Sequence, residues 1–202
     1  MDPRSGRWPP VASSRRDELL ALAGRMFAEQ GLRTTTVRDI ADAAGILSGS
    51  LYHHFDSKES MVDEILRQFL DDLFARYHEI VDADPPADDA LTQLVVASFE
   101  SIDRDHHAVA IYQDEAKRLS SLERFGYIAE RNREFRGLWE TILAKGVRDG
   151  TFRADLDVEL VYRFLRDTVW VAVRWYRPGG TMPAQTVADQ YLGVVLHGLV
   201  PR

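Results

Sequence analysis

The 202-residue chain contains no cysteine, which excludes disulfide bridges and thiolate metal sites and makes a reducing cytoplasm its natural setting. No apolar run reaches the roughly 18 residues that a membrane span needs. The opening MDPRSGRWPPVASSRR is polar and proline-containing, without the apolar stretch of a signal peptide. Strand-like alternation, internal repeats and low-complexity tracts are missing. So are HExxH, GxSxG, GxGxxG and the GK[ST] phosphate loop. His53-His54 and His106-His107 are adjacent pairs, so their rings point to different faces of a helix. These absences argue against an enzyme, and no cofactor is expected.

Positive charge is scarce: 25 Lys and Arg face 32 Asp and Glu, a net charge of −7. An acidic chain argues against indiscriminate nucleic-acid binding. Residues 1–60, however, carry eight of each sign, and the whole excess lies in residues 61–202. A neutral N-terminal part can still engage a polyanion if its basic groups share one side.

What is present is helical punctuation. Ser14 opens a helix whose Leu19, Leu22, Ala23, Met26 and Phe27 form an apolar stripe, with Gly31 as the stop. Thr36 caps a short second helix ending at Gly45. Ser48 or Gly49 opens a third, ending near Phe55. Ser57 starts a long fourth helix striped by Met61, Ile65, Leu66, Phe69, Leu73, Phe74 and Tyr77. Beyond the prolines of ADPPAD, helices are expected at about 88–104, 107–120 and 122–149, then from Asp157 to just before Pro178, and at 184–199. The class is all-α with about nine helices: an N-terminal arm and three-helix DNA-binding domain over 1–60, and a ligand-binding and dimerisation bundle over 61–202.

The segment GILSGSLYHHFDSKE (45–59) carries the functional reading. Short helices around a tight glycine turn make a helix-turn-helix, with Ile40, Ala41, Ala44, Ile46 and Leu51 able to pack the two together. Ser48, Gly49 and Ser50 then lie at the exposed N-terminal end of the third helix, the end that enters a major groove, where bulk would obstruct. Tyr52, His53, Thr36 and Lys58 are placed to contact phosphates. The alternative is an ordinary helical connector with solvated Ser and His.

TTTVRDIADAAGILSGSLYHHFDSKESMVDEI (34–65) resembles the DNA-binding head of TetR-type bacterial repressors. The resemblance rests on the Thr-capped second helix, Ile-Ala-x-x-Ala-Gly into the turn, Leu-Tyr-x-His-Phe and Ser-Lys-Glu. Leu47 stands where many members have Ser or Thr, which moves the expected cap to Ser48. The resemblance implies a homodimer, a palindromic double-stranded operator and a small-molecule effector. IYQDEAKRL (111–119), residues 155–180 and QYL (190–192) are similar to an actinobacterial branch of that family. This branch controls late, ring-degrading steps of cholesterol catabolism in response to a steroid-derived CoA thioester. Fatty acyl-CoA or drug effectors, and a metal sensor built on His106, His107 and Asp103 or Asp105, remain alternatives.

In the larger part, Trp170 and Arg174 are four residues apart on an apolar helix. Arg174 either pairs with a carboxylate such as Asp114 or Glu115, or meets an anionic ligand while Trp170 covers its apolar rings. Arg163 and Arg166 are further candidates for its phosphates, and Tyr112, Phe69 and Trp139 for the cavity wall. Residues 155–177 and 184–199 are the dimer candidates. The apolar face there is Val187, Tyr191, Leu192, Val195, Leu196 and Leu199, with Gly193 and Gly198 allowing close approach.

Overall fold

The computed structural model describes residues 14–199, which form nine α-helices and two short 3-10 segments, with no strand among the described residues. The expected N-terminal arm over residues 1–13 lies outside them. Three helices make the head: α1 (Arg15–Gln30), α2 (Val37–Ala43) and α3 (Ser48–Tyr52). The long α4 (Lys58–Asp82) leads into the body, built from α5 (Ala87–Arg104), α6 (His106–Leu119), α7 (Tyr127–Arg148), α8 (Val158–Trp170) and α9 (Ala184–Leu199).

Local chemistry sets the boundaries. Ser14, Thr36 and Ser57 each cap a helix by accepting from the third helical N–H, while Asp17, Asp39 and Ser60 reach back to the cap N–H. The turn between α2 and α3 needs the positive φ of Gly45, +68°, a conformation that costs other residues more.

Two apolar cores result. The head core holds Leu19, Ala23, Phe27, Ile40, Ala41, Leu51 and Phe55, and it takes in Met61, Val62 and Leu66 from α4 together with Ile111 and Leu119 from α6. The body core begins three residues after Leu66, at Phe69 and Leu70, and continues through Leu73, Tyr77, Leu94, Trp139 and Leu165. The division at residue 60 therefore falls inside a continuous helix. Ile65, Tyr112 and Tyr127 pack against both cores.

Two expectations are corrected. The helix from Asp157 does not run on toward Pro178: it ends at Trp170 and tightens into a 3-10 segment, Val171–Arg174, as helix ends do when the last carbonyls take closer partners. The apolar face of α9 turns inward. Leu192 and Leu199 are buried, and Val187, Tyr191, Val195 and Leu196 pack on the body core, chiefly against α5. Its outer side carries Gln190, Gly193, Val194 and His197.

The Phe152 ring lies over Gly146, where a Cβ would stand 2.1 Å from Phe152 Cδ2. Gly137, in the same helix, has nothing within 4 Å of such an atom. Gly146→Ala is expected to destabilise by about 1–3 kcal/mol through overpacking. Gly137→Ala is expected to stabilise by up to about 1 kcal/mol. Urea melts of the two variants check this pair.

Candidate nucleic-acid interface and ligand cleft

The head places α3 by its surroundings rather than by helix propensity. Five residues including a glycine cannot hold a helix alone. Leu51 is fully buried and anchors it against Ile40 and Ala41. The Arg15 guanidinium closes the end of α2 by donating to the Ala44 carbonyl at 3.0 Å, and also pairs with Glu18. With the buried side spoken for, Gly49, Ser50, Tyr52 and His53 are exposed and Ser48 half-buried. A Cβ on Gly49 would meet nothing within 4 Å among the described residues, so packing against them does not require glycine there.

The helix cap is not Ser48. Leu47 has the extended cap backbone, its carbonyl accepts from the Ser50 and Leu51 N–H groups, and it makes no side-chain cap bond. Ser48 is the first helical residue. Thr36 is exposed and already engaged: its hydroxyl accepts from the Asp39 N–H and donates to the Asp39 carboxylate at 2.7 Å. The bonds from Thr36 hold the Asp39 carboxyl below its ordinary range.

Lys58 departs from the expected phosphate contact. Its ammonium donates to the carbonyls of Leu32 (2.7 Å) and Thr35 (3.0 Å), so it ties the loop between α1 and α2 to the start of α4. Sequence reasoning passed over Arg15, Arg38 and the exposure of Leu47. Arg38 is largely exposed in the first turn of α2, 3.7 Å from Asp42. The partner of Arg15 is 29 residues away, which no local pattern signals.

In the body, Phe69, Leu73, Phe74, Tyr112, Phe135, Arg131, Arg166 and Trp170 line one cleft of about 60 Å³. Edge-to-face contacts join its rings: Phe69 to Tyr112 at 5.9 Å, and Trp170 to Phe69 and Phe135 at 6.1 Å each. The Tyr112 O–H donates to Asn132 at 2.9 Å, and burial pushes its phenol up to about 12, so it remains a neutral donor. Trp170 is buried, and its indole N–H has no acceptor among the described residues. Arg166 donates through Nε to Asp167 at 2.7 Å and lies over the Tyr162 ring.

The cleft thus gathers Phe69, Tyr112, Arg166 and Trp170, and leaves out three expected residues. Arg174 is not a buried partner of Trp170. The change to 3-10 geometry turns it outward, exposed, with Asp114 3.7 Å away. It lines a separate cavity of about 600 Å³ between head and body, with Glu29, His106, His107 and Arg177. Arg163 points to solvent and pairs with Glu159 at 2.6 Å. Trp139 is fully buried behind Phe135, stacked on it at 5.6 Å. Within YQDEAKRL, Tyr112 and Gln113 reach the cleft, while Arg118 and Glu115 form a surface pair.

A second feature is an exposed apolar stripe that runs from α8 through the 3-10 segment after it: Leu160 and Phe164 of α8, Val171 of the 3-10 segment and Trp175 just beyond it are 43–60% exposed, and Val194 of α9 is 78% exposed. Monomers rarely leave such a run uncovered. Among the described residues no helix is long and apolar enough to cross a membrane, and no three His, Asp or Glu side chains are grouped to hold a metal ion.

Comparison with known proteins gives concordant matches. Residues 19–65 match the model of bacterial regulatory proteins of the tetR family, and residues 84–199 the tetracyclin repressor-like C-terminal domain. The HTH-type transcriptional repressor KstR2 of Rhodococcus jostii is 66% identical over 93% of this chain and 92% of its own. The repressor of the same name from Mycolicibacterium smegmatis is 61% identical over 95% and 93%. The structure of ketosteroid transcriptional regulator KstR2 of Mycobacterium tuberculosis superposes with a TM-score of 0.92 at 61% identity, covering 95% of this chain and 98% of that one.

Lys58→Ala leaves two half-buried carbonyls without a donor. The expected cost is about 1–3 kcal/mol of stability, seen as a lower urea midpoint. The salt dependence of DNA binding is expected to stay unchanged, whereas loss of a phosphate contact would reduce it by about one unit of slope.

Proposed function

The chain belongs to the TetR family of bacterial regulatory proteins, as a helix-turn-helix transcriptional repressor, and from that premise we propose its operator, its assembly and its effector. It binds a palindromic duplex as a homodimer and is released by a steroid-derived acyl-CoA thioester. Gly49, Ser50 and Ser48 meet base edges, while Tyr52, His53 and Thr36 contact the phosphates beside them.

The observation that carries the effector reading is the aromatic cleft with Trp170 and Arg166 in its wall. The aromatic side chains Phe69, Phe74, Tyr112, Phe135 and Trp170 in its lining suit a flat polycyclic acyl group. An indole N–H without an acceptor suits a carbonyl oxygen of the ligand, since a buried donor left unpaired costs stability. The guanidinium of Arg166 suits phosphate or carboxylate. A relative of solved structure described as a ketosteroid transcriptional regulator supports the same class.

The cleft's 60 Å³ holds one or two waters, far below the roughly 300 Å³ or more of ligand sites. An acyl-CoA therefore has to part Phe69 and Tyr112 to enter. Phe69 sits on α4, and Tyr112 packs against the head core. Ligand entry thus favours a conformer in which the head has moved off the groove spacing of about 34–36 Å. Weakening the operator 20-fold takes only about 1.8 kcal/mol of coupling.

The dimer reading rests on the exposed stripe of α8 and α9, which two copies would bury as a four-helix arrangement. Phe164→Asp is expected to yield monomers in analytical ultracentrifugation and to lose operator affinity at least 100-fold.

The effector is tested by thermal shift with free CoA, fatty acyl-CoAs and steroid-derived acyl-CoAs, followed by operator release. The steroid thioesters are expected to raise the melting midpoint most. Arg166→Ala is expected to keep operator affinity within twofold while raising the concentration needed for release about 10- to 150-fold. A larger shift with fatty acyl-CoAs would replace the steroid assignment, and unchanged release by Arg166→Ala would remove the cleft from it.

A further inference from the structure

We propose that Leu47 is a specificity-determining residue, and that its side chain reads the C5-methyl group of a thymine in each half of the operator. The inference deepens the operator reading and rests on it.

Of the large apolar side chains exposed on the described residues, only Leu47 and Tyr52 belong to the head; the others are in the body. Tyr52 has a phenol to offer phosphates. Leu47 has nothing but an isobutyl group, and it is 80% exposed. Its neighbour Ile46 packs against the head core, so the chain at this point keeps one aliphatic group inside and puts the next outside.

The position is also one where leucine is a poor choice for the fold. Helices α1, α2 and α4 are capped by Ser14, Thr36 and Ser57, each with a side-chain bond to the helix. Helix α3 is the shortest of the head and most in need of a cap, yet Leu47 makes no side-chain bond. The residue forgoes a cap and, among the described residues, leaves its apolar surface 80% exposed.

Geometry supplies the use. Leu47 stands at the N-terminal tip of the helix that presents its first turn to the major groove. The residues that follow, Ser48, Gly49 and Ser50, are small, so the leucine is the bulkiest group at the tip. An isobutyl group cannot hydrogen-bond a base edge. The one apolar feature on the floor of that groove is the thymine methyl, and burying one methyl-sized group against another strengthens binding about fourfold.

The test uses a duplex selected from random sequences on the purified protein. Each thymine is then replaced in turn by 2′-deoxyuridine, which removes the methyl and keeps the base pair. One thymine in each half is expected to lose about fourfold in affinity on replacement, and about 15-fold when both halves are changed. In Leu47→Ala that sensitivity disappears and affinity for the uridine duplex matches the parent protein's. Leu47→Ser, which restores a cap, is expected to melt no lower than the parent and to be equally blind to the methyl.

Wild-type binding that is indifferent to every replacement overturns the proposal and leaves the operator reading intact. So does a Leu47→Ala protein that keeps the sensitivity, or one that loses affinity equally for both duplexes. If no sequence is enriched at all, the operator reading fails and the proposal with it.

Discussion

One helix belongs to two cores. The first turns of α4 put Met61, Val62 and Leu66 into the head, and the next put Phe69, Leu70 and Leu73 into the body. An α-helix propagates displacement along its axis because each turn is bonded to the last. Neither core can shift against this rod without disturbing the other. The short α3 depends on the head core for its placement, so the reading surface is fixed, in the end, by how α4 is seated.

The same seating links the head to the cleft where an effector is proposed to bind. The aromatic cleft is closed by Phe69 of α4 and by Tyr112 of α6, which also packs on the head core. Parting these rings changes the packing on both routes from body to head. Cores respond to such changes by moving between discrete arrangements rather than by yielding softly. The coupling needed is small beside the stability of a domain, so a modest re-seating of α4 suffices. A cavity of about 600 Å³ lies between head and body on the side of Arg174 and His106.

Much of this was legible in the sequence, for physical reasons. Ser14, Thr36 and Ser57 announce helix starts because a cap needs only a local oxygen, and the stripe from Met61 to Tyr77 announces α4 because burial follows the helical period. The helix-turn-helix was readable from Gly45 and the small residues around it. Failures came where a side chain's fate is decided by partners far away in the chain. Lys58 looked free beside a helix start, but carbonyls 23 and 26 residues back hold it. Arg174 looked buried because its neighbours are apolar. The α8 helix stops one turn too soon for that, and the resulting 3-10 twist turns the guanidinium out while leaving Trp170 and Arg166 at the cleft. On α9, the pattern gave the apolar face correctly but not its partner, which is α5 of the same chain.

The lack of cysteine makes the central claim directly measurable. A single Asp42→Cys, exposed on the head, carries a spin label, and the label-to-label distance across the proposed dimer is read by pulsed electron resonance. With operator, one narrow distribution is expected. Addition of the proposed acyl-CoA effector in the absence of DNA should shift it by several ångströms, and a packing change at the α4 seat, such as Phe69→Ala, should blunt that shift. A distance that stays the same while the ligand binds and the operator is released would contradict the account.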